Sequence, residues 1–355
     1  MLKVSIVVCT FNSNQRIAAT LDSLRYIESS KEKYEVIIVN NRSTDSTRSM
    51  VDCYIKNYNL ENWRIIDETR LGLMYARLCG IQNSKYEIIS FVDDDNQVEE
   101  NWVEVLIDSF ERNPEMGILG CESLVLNSDI CEYPDWFSFF SKSYAVGRQV
   151  EESNGSSLVS NGVHIKDAIW GAGMSIRSQV YKKLNELSFE PILTGRKGIS
   201  LSAGDDTEIC FASQLLGYKI GIILGTTMTH SVPVSRVTEH YLRKLNRGFG
   251  AAAFWLKLYR IKTIGSVKII NFIVFFLYVV ARILNSSVLI CNYEIQKIFS
   301  MSLINRIKYS VLVEQHIGIL FECLTSFNKC SVERLKSITR YKKRLNCFSR
   351  VTVNA

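Results

Sequence analysis

From Val4 to Cys121 the chain alternates short, β-branched apolar runs with longer stretches that read as helices. Val4–Cys9, Tyr34–Val39, Trp63–Ile66, Tyr86–Ser90 and Gly117–Cys121 have the length and near-continuous apolar character of strands buried on both faces. Between them, Arg16–Ile27, the stretch after Asp45, Leu71–Ile81 and Trp102–Phe110 read as helices. Alternation of this kind restricts the fold more than any other feature. It predicts an α/β domain with a mostly parallel twisted sheet flanked by helices.

In such a sheet, ligands bind where the carboxyl ends of the strands open. The loops after the first, second and fourth strands are polar, and all three fall on that edge. The fourth strand ends in Phe91-Val92-Asp93-Asp94-Asp95-Asn96. Three adjacent carboxylates repel one another and are costly near a core. A divalent cation carrying nucleotide phosphates would make them favourable; a solvated acidic turn is the bland alternative, and on this triplet alone the two stand level. The first strand is followed by Thr10-Phe11-Asn12. That is neither the G-x-G-x-x-G of a dinucleotide-binding enzyme nor a phosphate-binding G-K-[ST] loop.

A second acid cluster, Asp205-Asp206-Thr207-Glu208, opens an apolar helix that stops at Gly217. Asp205 and Glu208 fit a capping box, which leaves Asp206 without a structural role. Between the clusters, Glu122–Asp167 is aromatic, polar and irregular. Its Trp and Phe residues suit either stacking on a sugar or lipid, or a small satellite core. Trp170-Gly171-Ala172-Gly173 precedes a strand, its glycines allowing close backbone approach to a ligand.

The bulk numbers exclude some classes. Hydrophobic content of 47% and charged content of 22% are those of a packed protein. The 10 cysteines form no C-x-x-C pair, and with no signal-peptide pattern they read as reduced thiols. Of the net +6, Asn292–Ala355 carries 11 Lys/Arg against 4 Asp/Glu, a local +7, so the remainder sums to about −1. Basic residues confined to a tail argue against nucleic acid as partner. Beside an apolar segment they point to anionic lipid. That segment, Ile264–Cys291, accounts for the mean hydropathy of +0.04. Its uninterrupted part, Phe272–Ala281, is short of the roughly 20 residues a spanning helix needs. Lys268, Asn271, Tyr278, Arg282 and Asn285 form one polar stripe, as expected of an in-plane membrane helix or one packed on a partner. A single span is the alternative.

Five motifs in order resemble the family 2 glycosyltransferases: Val4–Asn12, Glu35–Asp45, Leu71-Gly72, Ala76-Arg77 and Phe91–Asp95; Asp205-Asp206 stands where the family usually has Glu-Asp. The resemblance covers roughly the first 230 residues. It implies the A-type, Rossmann-like nucleotide-sugar fold, with a catalytic domain over 1–232 (nucleotide half about 1–121, acceptor half about 122–232) and a helical, membrane-associating extension over 233–355. It implies that Thr10, Phe11 and Asn12 lie against base and ribose. Asn40 stands where the family usually has aspartate, which loosens the choice of base. Arg77 and Asp94 are assigned to the donor nucleotide, Gly171, Ala172 and Gly173 to the donor sugar. Asp93 and Asp95, with His230, are assigned to a divalent cation, Mn or Mg. Arg243 and Arg247, four apart on one helix face, are set on the diphosphate. Asp206, the second acid of its pair, is the implied base of an inverting transfer to a saccharide or lipid-linked acceptor at the inner face of the cell membrane. A nucleotidyltransferase acting on sugar phosphates and a non-catalytic sugar- or nucleotide-binding protein are the competing readings.

Overall fold

The computed structural model describes residues 1–126, 133–150, 159–196, 201–261, 268–299, 302–325 and 329–353. In chain order, β1 (Val4–Thr10), α1 (Ile17–Arg25), β2 (Tyr34–Asn40), α2 (Thr47–Asn57), β3 (Trp63–Asp67), α3 (Leu73–Asn83) and β4 (Ile88–Asp93) come first. They are followed by β5 (Asn96–Val98), α4 (Trp102–Arg112) and β6 (Met116–Val125). After a helical turn at Phe137–Phe140 come β7 (Val159–Ser160), β8 (Val163–Lys166), β9 (Ser175–Arg177), α5 (Ser178–Glu186), α6 (Asp205–Leu215) and β10 (Lys219–His230). Then follow α7 (Glu239–Arg260), α8 (Lys268–Phe299), α9 (Leu303–Thr325) and α10 (Lys329–Val353).

Two compact units result, and they are interleaved in sequence. The first holds the sheet, from Met1 to Lys182, with Arg196 and Gly217–Val234. Residues 183–195 and 201–216 pack instead with the C-terminal helices.

In the first unit the strands form one sheet in the order β3-β2-β1-β4-β9-β6-β10-β8-β7, with β5 pairing β10. β1 runs parallel to β2 on one side and to β4 on the other. The strand order therefore reverses between β1 and β4, and the crevice at their carboxyl ends, Thr10 and Asp93, is the switch point where α/β sheets bind ligands. Every residue of β1 and β2 is buried, as expected for strands covered by helices on both faces. β8 and β9 are antiparallel insertions, and β5 pairs antiparallel with β10, in a mostly parallel sheet. Trp102, Phe110, Ile6, Leu21 and Leu24 are among the largest fully buried side chains, each contributing about 1.5–3 kcal/mol by leaving water. Some of the aromatics after the sixth strand form a satellite core: the Tyr133, Phe137 and Tyr144 rings pack tilted in series at 4.4 and 5.3 Å, and the Tyr133 hydroxyl donates to the Val232 carbonyl, while Phe139 stays exposed.

In the second unit α7 and α9 cross at glycines. A Cβ on Gly250 would stand 1.8 Å from the Gln315 carbonyl oxygen, and one on Gly318 2.1 Å from that of Arg247. Part of the polar stripe of α8 meets protein, while Asn285 stays exposed. Tyr278 donates to the Phe254 carbonyl at 2.9 Å, Ser286 is fully buried against His316, and the Arg282 Nε is buried. The polar residues at these positions face neighbouring helices because each of their polar groups is cheaper beside protein partners than beside hydrocarbon. Ile273, Phe276, Leu277, Leu284 and Val288 are left exposed. Ile273–Ile295, an unbroken part of α8, is long and apolar enough by length and composition to cross a membrane, about 35 Å at 1.5 Å per residue. The C-terminal basic residues are partly spent on internal contacts: the buried Lys342 ammonium donates to the Leu258 and Ile261 carbonyls, and Arg334 pairs with Glu322.

Candidate functional site

The loops at the carboxyl edge of β1, β2 and β3 are stitched to one another by side chains. Asn12, at φ 48°, accepts from the Thr44 N–H at 2.8 Å, and its own N–H donates to the Ser43 hydroxyl. Left-handed backbone is tolerated by Asn better than by most residues. Asn41 accepts from the Gly72 N–H and donates to the Arg70 carbonyl, joining the loops after β2 and β3. Asn40 donates to Asp67 at 2.7 Å and accepts from the Ser43 N–H. Asp67, paired in turn with Arg48 at 3.0 Å, sets a carboxylate beside Asn40.

Into this edge project the three aspartates. Thr10 donates to Asp94 at 2.8 Å, and Arg16 binds the same carboxylate through Nε and Nη2 at 2.9 and 3.0 Å. The middle acid, assigned from sequence to the nucleotide, is therefore held by an internal ion pair. Asp93 and Asp95 flank it. His230, at the end of β10, brings Nε2 to 3.6 Å from Asp95 Oδ1, and the Ser231 N–H donates to the Asp95 carbonyl. Burial pushes the Asp93 carboxyl up from its ordinary value; Asp95 adds to this, against Arg77, His230 and Arg196. Burial and the charge of Asp95 likewise raise Asp94. For His230, burial disfavours the imidazolium, but Asp95 and Asp93 outweigh it and raise the value.

Arg77 is buried on α3, its guanidinium 5.6 Å from the Phe91 ring centre. A Cβ on Gly171 would meet Arg77 Nη2 at 2.5 Å, so glycine there makes room for the arginine. Gly173 donates to the Phe91 carbonyl and Phe91 to that of Met174, which aligns Gly171–Gly173 beside the end of β4. Phe11 is half-buried, and Ala172 is buried. In the first unit the structure therefore gathers Thr10, Asn12, Arg77, Asp93, Asp94, Asp95, Gly171, Ala172, Gly173 and His230 around the ends of β1, β4 and β10. Three residues join them unforeseen. Arg16 could have been suspected as a cation opening the first helix, but Arg196 gives no local signal. Asn96 follows the triplet directly; it is fully buried, with both side-chain polar atoms lacking a partner, and pairs with His230 across β5 and β10.

Asp206 and the two arginines belong to the second unit. Gly204, not an aspartate, occupies the N-cap of α6, so no cap side chain serves the helix start. The capping box is thus absent: Glu208 is fully buried and turned away from its own helix start, accepting from the Ile192 and Leu193 N–H groups. Asp206 is half-buried and accepts from the Thr207 N–H at 2.7 Å. Arg243 and Arg247 both bind Glu314 of α9, at 2.9 and 2.6 Å. Their shared face, read from sequence as facing a diphosphate, has a structural partner: a buried carboxylate that needs compensation.

A crevice at a sheet switch point, lined by acids and a buried arginine, is where an α/β sheet of this kind binds its ligand. A family model of glycosyl transferase family 2 matches residues 5–123, and one of glycosyl transferase family group 2 matches residues 88–312. The chain belongs to the family 2 glycosyltransferases. It is 24% identical over 223 residues, 59% of its length, to the glucosyl-dolichyl phosphate glucuronosyltransferase of Haloferax volcanii, and spans 62% of that protein. It is 38% identical over 99 residues, 27% of its length, to the poly(ribitol-phosphate) beta-glucosyltransferase of Bacillus spizizenii, spanning 15% of it. Among solved structures, the mannosyltransferase of Pyrobaculum calidifontis in complex with GDP-Man and Mn2+ shares the fold at TM-score 0.52 and 13% identity, over 98% of this chain and 86% of that one. S. aureus TarS 1-349 in complex with UDP-GlcNAc does so at 0.50 and 15%, over 98% and 92%.

Proposed function

We propose that the chain transfers a sugar, with inversion, from a nucleoside-diphosphate sugar to an acceptor hydroxyl in cell-surface polysaccharide or glycolipid synthesis. The observation that carries this reading is the placement of Asp93–Asp95 at the β1/β4 switch point, with His230 on Asp95 and Arg77 buried alongside. Among the described residues, no group of three or more His, Cys, Asp or Glu side chains stands together as a complete metal cage. A Mg or Mn ion takes one or two carboxylates and completes its shell with substrate phosphates and water, so it does not need such a cage. The raised Asp93 carboxyl and the unpartnered Asn96 amide fit a site where added positive charge is favourable. Asp93, Asp95 and His230 would hold the cation, which would neutralise charge developing on the diphosphate.

The chain's own residues do the rest. Thr10, Phe11, Asn12 and Asn40 line the base and ribose edge, and Gly171–Gly173 give the sugar close backbone approach. Arg77 supplies fixed positive charge on the leaving side. The Asp206 carboxylate takes the proton of the acceptor hydroxyl as its oxygen bonds the anomeric carbon. The bond from that carbon to the diphosphate oxygen breaks, and the nucleoside diphosphate leaves with the electron pair. Arg243 and Arg247 stay with Glu314. The exposed apolar face of α8 rests against the inner face of a membrane, with the uncommitted basic residues of the tail beside anionic headgroups.

The test is a panel of nucleotide sugars with Mn or Mg, read as thermal stabilisation and as release of nucleoside diphosphate. One donor should stabilise the protein and turn over, and a chelator should abolish both. A panel in which no nucleotide sugar binds would refute the reading.

A further inference from the structure

The second acid cluster contains a carboxyl that the mechanism leaves idle. Glu208 is fully buried in the first turn of α6, and its oxygens are aimed at three donors outside that helix. The Ile192 N–H is shared between Oε1 and Oε2 at 3.0 and 3.1 Å, the Leu193 N–H lies 2.8 Å from Oε2, and the Tyr259 hydroxyl of α7 lies 2.5 Å from Oε1. A packed apolar residue would hold three elements together at lower cost than a buried carboxyl. What the carboxyl adds is direction: three hydrogen bonds fix the angle at which segment, helix and α7 meet.

The same helix face carries a second contact to the same segment. Residues three apart lie together on a helix, and Asp205 rests on Gly195, at φ +64°, where a Cβ would come within 2.8 Å of Asp205 Oδ2. On its far side α6 is tied again, by the Tyr341 hydroxyl donating to the Ala212 carbonyl at 2.8 Å. Asp206 is turned about 100° round the helix from Asp205 and keeps partial exposure. The geometry divides the cluster into two anchoring acids and one presented acid.

We propose that Glu208 is a positioning residue, whose carboxyl locks the Asp205–Asp206 turn to Ile192–Gly195 and to α7 so that the Asp206 carboxylate keeps one orientation. The proposal rests on Asp206 being the base. Burial pushes the Glu208 value up to about 7, with Asp205 adding to it, against the donations of Tyr259, Ile192 and Leu193. In the protonated form one oxygen keeps the two N–H groups while the other donates to Tyr259. A glutamine reproduces that pattern, its carbonyl accepting and its NH2 donating.

The experiment compares Glu208→Ala, Glu208→Gln, Tyr259→Phe and Asp206→Asn in the full chain, with the donor found by the panel. Misplacing a reacting group by about 1 Å costs about 100-fold. Glu208→Ala should therefore lose about 100-fold in kcat, with donor KM within about twofold of wild type. Glu208→Gln should recover to within about threefold of wild type. Should the alanine variant fail to fold, Tyr259→Phe removes a single link and should lose about tenfold in kcat alone. Wild-type kcat in Tyr259→Phe and in any folded Glu208→Ala, with Asp206→Asn inactive, would overturn the positioning role and leave the base standing. Glu208→Gln as impaired as the alanine variant would also overturn it. Turnover retained in Asp206→Asn would remove the base, and the positioning role with it.

Discussion

The chain carries two clusters of three acids, and they are handled in opposite ways. At Asp93–Asp95 the compensation is cationic: Arg16 on Asp94, His230 on Asp95, Arg77 beside Asp93. At Glu208 it is backbone and phenol, two N–H groups and a hydroxyl, while Asp205 lies against Gly195. The first arrangement concentrates positive and negative groups where a charged diphosphate would arrive. The second leaves one carboxylate presented beside two that are fixed, which is what a proton acceptor requires. An acidic run thus says little about its work until the groups that balance it are known.

Removing a cation from the first cluster should have the larger structural effect. Arg16→Ala leaves the buried Asp94 carboxylate with Thr10 alone, and should destabilise the protein by about 2–3 kcal/mol in denaturant unfolding. Asp94→Asn introduced on that background should recover most of the loss. Gly171→Ala sets a methyl against Arg77 Nη2. It should weaken donor binding by about tenfold in calorimetry, as expected of a buried side chain proposed to serve the donor.

The second cluster is probed by pH. Glu208 binds its proton more tightly folded, at about 7, than at its ordinary 4.5. Its stabilising contribution is complete below about pH 4.5 and is lost as pH rises through 7. Thermal unfolding of the wild type should decline by roughly a few degrees between pH 5 and 8 from this group, and Glu208→Gln should lack that component. The smallest effect is expected at Arg243→Ala. The pair with Glu314 is half-exposed on the arginine side and shared with Arg247, so stability should fall by about 1 kcal/mol or less, with donor KM unchanged. A tenfold rise in KM would return that arginine to the diphosphate.

The sheet was legible because its strands are short, continuous apolar runs, and such runs have few other folded states. The triplet was legible because it ends one of them. What stayed hidden depended on contacts across long separations: Arg196 beside Asp93, Glu314 under Arg243 and Arg247, Tyr259 on Glu208. Asp205 and Glu208 carry the spacing of a capping box, yet Gly204 caps the helix and the buried segment Ile192–Gly195 claims Glu208 instead. Local pattern lost to tertiary demand there. Of the polar stripe of α8, Tyr278 and Arg282 meet protein and Asn285 stays exposed, since periodicity fixes which residues share a face but not what the face meets.

The division of labour between the clusters is tested most directly by measuring nucleoside-diphosphate binding and sugar transfer side by side in Asp95→Asn and Asp206→Asn. The account predicts that both variants lose transfer by about 1,000-fold or more, while only Asp95→Asn loses divalent-dependent binding. Retained transfer in Asp206→Asn, or retained divalent-dependent binding in Asp95→Asn, would contradict it.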